Sequence, residues 1–143
     1  MNNLVNDGCR DHSHADPAVG PTVDHLATAL ADLAPFQVTS PPKDMTVYGY
    51  GGKHLELTVP LDLPVDESRD DRLWRANQEL GRAFRHNTGD AFYGYTDPGY
   101  TEEFWILDVE GTRLMIAAER SAGSPEKDLD ELRAILGSIR IEP

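Results

Sequence analysis

Basic residues, cysteine and long apolar runs are all scarce in this chain, and each shortage removes a class of function. Thirteen Lys and Arg stand against twenty-five Asp and Glu, a formal net charge of −12. A field of that sign repels phosphate backbones and anionic headgroups, so nucleic acid and membrane surfaces are poor partners. The single cysteine, Cys9, cannot form a disulfide within the chain, and it leaves the redox compartment unread. No window approaches the roughly 18 to 20 apolar residues of a spanning helix. The first twenty residues lack the charged start and apolar middle of a signal peptide. The chain as given therefore reads as soluble.

Catalytic signatures are also missing. There is no Gly-x-Ser-x-Gly elbow, no His-Glu-x-x-His and no Cys-x-x-Cys. Gly49-Tyr50-Gly51-Gly52-Lys53 suggests a phosphate loop, but that motif needs Gly where Val47 stands and Ser or Thr where His54 stands. It also needs a helix next, and the following residues alternate as a strand. His54 and His86 remain acid–base candidates only in the general sense that sites assemble in space. The expectation is a protein that is not an enzyme and carries no cofactor.

What is present fits one α+β domain of 143 residues, with residues 1–20 as a flexible or loosely docked arm and residues 21–143 as the folded unit. The arm holds the densest set of ligating side chains: Cys9, His12 and His14, beside Asp11 and Asp16. Thiolate and imidazole suit a transition metal. In an extended segment His12 and His14 point oppositely, however, so a solvated arm is the simpler reading and the metal site a weak candidate.

The first helix starts at the N-cap Thr22 and repeats Val23, Leu26, Leu30 and Leu33, until Pro35 stops it. Phe36 to Ser40 and Met45 to Tyr48 read as short strands separated by Pro41-Pro42. Lys53 to Val59 alternates with period two: Leu55, Leu57 and Val59 on one face, His54, Glu56 and Thr58 on the other. The turn before it is placed at Gly49 to Gly52.

Asp70 to His86 has helical period, with Leu73, Ala76, Leu80, Ala83 and Phe84 on one side and Arg72, Arg75, Arg82 and Arg85 on the other. Trp74 lies off that apolar side. An arginine stripe beside it could hold an anion, but Glu79 can pair with Arg75 and Arg82, and a solvated ion-pair face is sufficient. Ala91 to Tyr95 reads as a strand leading through Pro98-Gly99, the centre of a type II turn, into the hairpin Glu102 to Arg120. These would form a three-stranded meander. The last helix is expected to start at Ser124-Pro125, bury Leu129, Leu132, Ile135 and Leu136, and end at Gly137 before a terminal strand, Ser138 to Ile141.

The hairpin is the most legible feature. Phe104 to Val109 and Thr112 to Ala118 flank the two-residue turn Glu110-Gly111. That turn pairs Val109 with Thr112, Asp108 with Arg113, Leu107 with Leu114 and Ile106 with Met115. Both faces are apolar, so the hairpin is expected at the centre of an antiparallel sheet sandwiched between the N-terminal and C-terminal helices.

Gly20-Pro21-Thr22-Val23-Asp24, the run Gly52 to Pro60, the hairpin segment Leu107 to Leu114 and Ser138-Ile139-Arg140-Ile141 carry a resemblance. Across roughly Cys9 to Ile141 the chain resembles the C-terminal domains of uncharacterised actinobacterial proteins that follow a membrane anchor. The resemblance implies an extracytoplasmic location. Members of that group carry a second cysteine where this chain has Pro64-Val65-Asp66, so their disulfide is absent here. More distantly, the ending of hairpin, helix and strand is similar to the PsbP/Mog1 type of α/β/α sandwich.

Two functional readings follow. One is a non-catalytic sensory or ligand-binding module for an unknown small molecule. Its candidate contacts are the aromatics Trp74, Tyr93, Tyr95 and Tyr100, because polar-tipped rings suit half-wet surfaces. The other is a protein-interaction or assembly domain using the same aromatic surface.

Overall fold

The computed structural model describes residues 4–7, 13, 15–62, 73–74, 94–95 and 98–142. Helix α1 spans Val23–Ala31 and starts as the sequence predicts. Thr22 Oγ1 accepts from the His25 backbone N–H, while the His25 ring lies against the Thr22 backbone N–H, a capping box in which histidine takes the place usual for Glu or Gln. Leu26, Ala27 and Leu30 are buried on one side of the helix, and Leu33 is buried just past its end.

Strand β1 is Gln37–Val47, a single strand where two were expected. Pro41 and Pro42 do not break it, because β1 lies at an edge of its sheet and absorbs them in register shifts between Val38 and Lys43. Strand β2 (Tyr50–Thr58) returns antiparallel, and the turn between them is Tyr48-Gly49, earlier than expected, with φ of 55° and 87°. Two positive φ angles in a two-residue loop match the right-handed twist of the strands it joins.

Strands β5 (Thr101–Val109) and β6 (Thr112–Arg120) form the predicted hairpin, and its register agrees pair for pair: Val109 with Thr112, Leu107 with Leu114, Ile106 with Met115. Glu110 and Gly111 both have positive φ. The hairpin's outer neighbour differs from the expected meander. β5 pairs with β2, giving the order β1-β2-β5-β6. The expected strand around Tyr95 appears as β4 (Gly94–Tyr95) in a separate ribbon with β3 (Leu73–Trp74). Leu73 and Trp74 are therefore strand where helical periodicity was read, since pairing to a distant segment overrides local propensity. The remainder of the expected helix lies outside the described residues.

In the core, Leu55 and Leu57 of β2 and Phe104 and Ile106 of β5 meet Leu26, Ala27 and Leu30 of α1. Alternation along each strand puts these four on one face. Leu4 completes the cluster and Val5 packs with Leu33, so part of the segment read as an arm belongs to the core. Two backbone hydrogen bonds, Asn6 N–H to Ser13 O and Ala15 N–H to Leu4 O, fold that segment back on itself.

Helix α2 (Glu126–Ser138) follows at the end of the chain. Its N-cap is Pro125 with no side-chain cap, in place of the expected Ser124. None of its residues is fully buried, and Ile135 keeps 62% of its surface. The expected sandwich with one helix per face thus holds for α1 but not for α2 among the described residues. The Tyr48 hydroxyl donates to the Leu136 carbonyl, bringing the end of α2 to the β1–β2 turn. Residues 139–142 form no strand. No described helix is long and apolar enough to cross a membrane.

Candidate functional site

A cleft of about 630 Å³ opens where the start of α1 meets the turn end of the sheet. Four separate stretches line it: Pro21 to Asp24 at the head of α1, Asp44 on β1, Gly51 to Lys53 on β2, and Asp108, Gly111 and Arg113 around the β5–β6 turn. Antiparallel order explains the convergence, because both two-residue turns fall at the same end of the sheet, with Gly52 level with Leu107.

Lys53 is the hinge of the charge arrangement. Its ammonium lies 2.7 Å from Asp44 Oδ1 and 3.3 Å from Asp24 Oδ1, joining β1 and α1 through β2. The hydrogen bond to Asp44, and next the one to Asp24, hold the Lys53 amine above its ordinary range. Both aspartates remain open to solvent on their outer sides. Arg113 donates to the carbonyls of Gly20 and Thr22, the latter at 3.0 Å, and so ties β6 to the segment entering α1. Partial burial lowers the pKa of its guanidinium. Asp108 Oδ1 accepts the Gly111 N–H at 2.7 Å and stiffens the turn at the cleft's far wall.

The two glycines on the floor have different reasons to be there. A Cβ at Gly52 would meet the Ile106 carbonyl oxygen at 2.1 Å, so no side chain fits. At Gly51 nothing lies within 4 Å of an added Cβ, which leaves that part of the cleft open.

The opposite face of the sheet carries a polar ladder. Glu56 accepts from Thr39 Oγ1 at 2.6 Å and from Arg120 at 3.2 Å, and the Thr39, Thr58 and Thr101 hydroxyls follow at 3.3 Å spacings. His54 lies 3.4 Å from Glu103, with its ring centroid 5.1 Å from that of Trp105. Its partners are a carboxylate and an indole, an arrangement that orients the ring. His86 lies outside the described residues.

The aromatic candidates divide as follows. Trp74 and Tyr95 come to one ribbon through the backbone, with Leu73 opposite Tyr95 and Trp74 opposite Gly94. The Tyr100 hydroxyl donates to Glu119 at 2.8 Å across the hairpin. Tyr93 lies outside the described residues, as do Cys9, His12 and His14. No cluster of three or more metal-ligating side chains occurs among the described residues. No local pattern in the sequence links the cleft residues as a set. Gly51-Gly52 stands out there only as part of a turn, with Lys53 opening the strand after it. Comparison with protein-family models, curated proteins and solved structures finds no match to the chain.

Proposed function

We propose that the chain is a non-catalytic ligand-binding module and that the cleft at the head of α1 is its site. The observation carrying this reading is the convergence of Asp24, Asp44, Lys53, Asp108 and Arg113 on one opening of about 630 Å³. That volume falls within the range of about 300 to 1,000 Å³ usual for small-molecule sites. Both cations already hold protein groups, whereas Asp24 and Asp44 keep accepting oxygens toward solvent. The ligand class that fits is a small polar molecule presenting hydroxyl or ammonium donors. A sensory role behind a membrane anchor, and a sheet of the PsbP/Mog1 type, are part of the reading and rest on the sequence resemblance.

The test is an NMR titration of the labelled full chain against a panel of amines, amino acids and polyols. A ligand is expected to shift the amides of Gly51, Gly52 and Lys53 saturably, and Gly51→Leu, which fills the open floor without straining the backbone, is expected to abolish the shift. Saturable binding that Gly51→Leu leaves unchanged places the site elsewhere. A panel in which no compound moves these amides overturns the reading.

A further inference from the structure

Both tight turns of the sheet put a residue other than glycine at positive φ ahead of a glycine: Tyr48-Gly49 and Glu110-Gly111. That geometry favours Asn, Asp or Gly at the first position, and a bulky side chain there is disfavoured. The Glu110 side chain is exposed, and no hydrogen bond or ion pair holds it among the described residues. Tyr48 differs. Its ring is half-buried, and its hydroxyl donates to the carbonyl of Leu136, in the last turn of α2. A bulky residue kept in a disfavoured conformation while it makes a specific long-range contact points to a purpose for that contact.

Little else ties α2 to the sheet. Its N-cap makes no side-chain hydrogen bond, none of its residues is fully buried, and Leu129, Leu132 and Leu136 are only half-buried. The ion pairs of Lys127 with Glu131 and of Arg133 with Glu126 and Asp130 stay within the helix. A helix leaves its last carbonyls without partners of its own, and here the chain's own end covers them. Ser138 Oγ donates to the Ile135 carbonyl, the Ile139 N–H to that of Leu136, and Arg140 to that of Gly137. Among the described residues, Tyr48 is the one donor to α2 that comes from the sheet.

We propose that Tyr48 is a latch for α2: the β1–β2 turn holds this residue in the left-handed region so that its hydroxyl meets the end of the helix, and breaking that one hydrogen bond frees α2 as a unit. The sheet and α1 stay folded when it opens, because the core of Leu26, Leu30, Leu55, Leu57, Phe104 and Ile106 contains no residue of α2. Thirteen residues are too few for a stable helix in water without packing, so a released α2 loses its backbone hydrogen bonds. Release also bares the half-buried stripe of Leu129, Leu132 and Leu136. α2 is thus a strap with a docked and a released state, and the balance between them is set at a single side chain.

Amide hydrogen exchange of the full chain, followed by NMR, tests this. In the wild type the amides of residues 130–138 are expected to exchange together, and faster than those of β2 and β5. Tyr48→Phe removes the hydroxyl alone. It is expected to speed exchange in α2 about two- to tenfold, the worth of one net hydrogen bond, and to leave β2 and β5 unchanged. Tyr48→Asn removes the latch too but suits the left-handed turn. Its α2 amides should exchange at least as fast as those of Tyr48→Phe, while the β1–β2 amides keep or gain protection. Glu110→Asn, the matching change at the other turn, is expected to leave α2 as in the wild type. Wild-type α2 amides that exchange at the rate of the sheet overturn the proposal, because α2 then opens only with the whole fold. Tyr48→Phe or Tyr48→Asn that leaves α2 exchange unchanged, or that speeds α2 and the sheet equally, overturns it as well.

Discussion

Arg120 on β6 reaches over β5 to Glu56 on β2, Nη2 to Oε2 at 3.2 Å, and Glu56 in turn accepts from Thr39 on β1. One carboxylate therefore links β1, β2 and β6 on the face away from α1, across the intervening β5. The guanidinium and carboxylate are both partly open to water, so their coupling is expected to be modest, about 0.2 to 1 kcal/mol. A double-mutant cycle with Arg120→Met and Glu56→Gln, followed by urea denaturation, measures it. The coupling should shrink in high salt.

Leu4 and Ile135 make opposite predictions despite similar side chains. Leu4 is 2% exposed within the α1 core, and Leu4→Ala is expected to cost about 2 to 5 kcal/mol. Ile135 is 62% exposed on α2, and Ile135→Ala should stay within about 0.5 kcal/mol. Equal losses in thermal melts would show that α2 is packed as firmly as the first segment.

The Lys53 pairs are expected to make stability pH-dependent at the alkaline end. Because Asp44 and Asp24 raise the folded-state pKa, their contribution is complete below the ordinary value of 10.5 and disappears as pH rises through the raised value. The stability difference between wild type and Lys53→Met should be constant near neutrality and close above that point. A difference that persists in strong alkali would mean that packing of the lysine stem, and not its charge, carries the effect.

Neighbouring glycines in the cleft should respond in opposite ways. Gly52→Ala forces a methyl group against the Ile106 carbonyl and is expected to cost about 1 to 3 kcal/mol, as overpacking does. Gly51→Ala meets open space and should be neutral or slightly stabilising, because it reduces the freedom of the unfolded chain. Chemical denaturation of the two variants side by side checks both signs.

By itself, the sequence determined the elements whose cause is local. Thr22 and the Leu26–Leu30 spacing specify α1, the alternation of Leu55, Glu56 and Leu57 specifies β2, and Glu110-Gly111 sets the hairpin register pair for pair. A cap, a period or a two-residue turn acts over a few residues and can be read from them. Only tertiary structure decided the rest. Pro41 and Pro42 stay in a strand because β1 is an edge, and β5 takes β2 as its neighbour in place of the segment around Tyr95. Leu4 is core because a groove exists for it, while the apolar stripe of α2 stays half-exposed. The cleft belongs largely to this second class: Asp44 and Lys53 face each other across the β1–β2 hairpin, but only the strand order and the docking of α1 bring Asp24 and Arg113 to them.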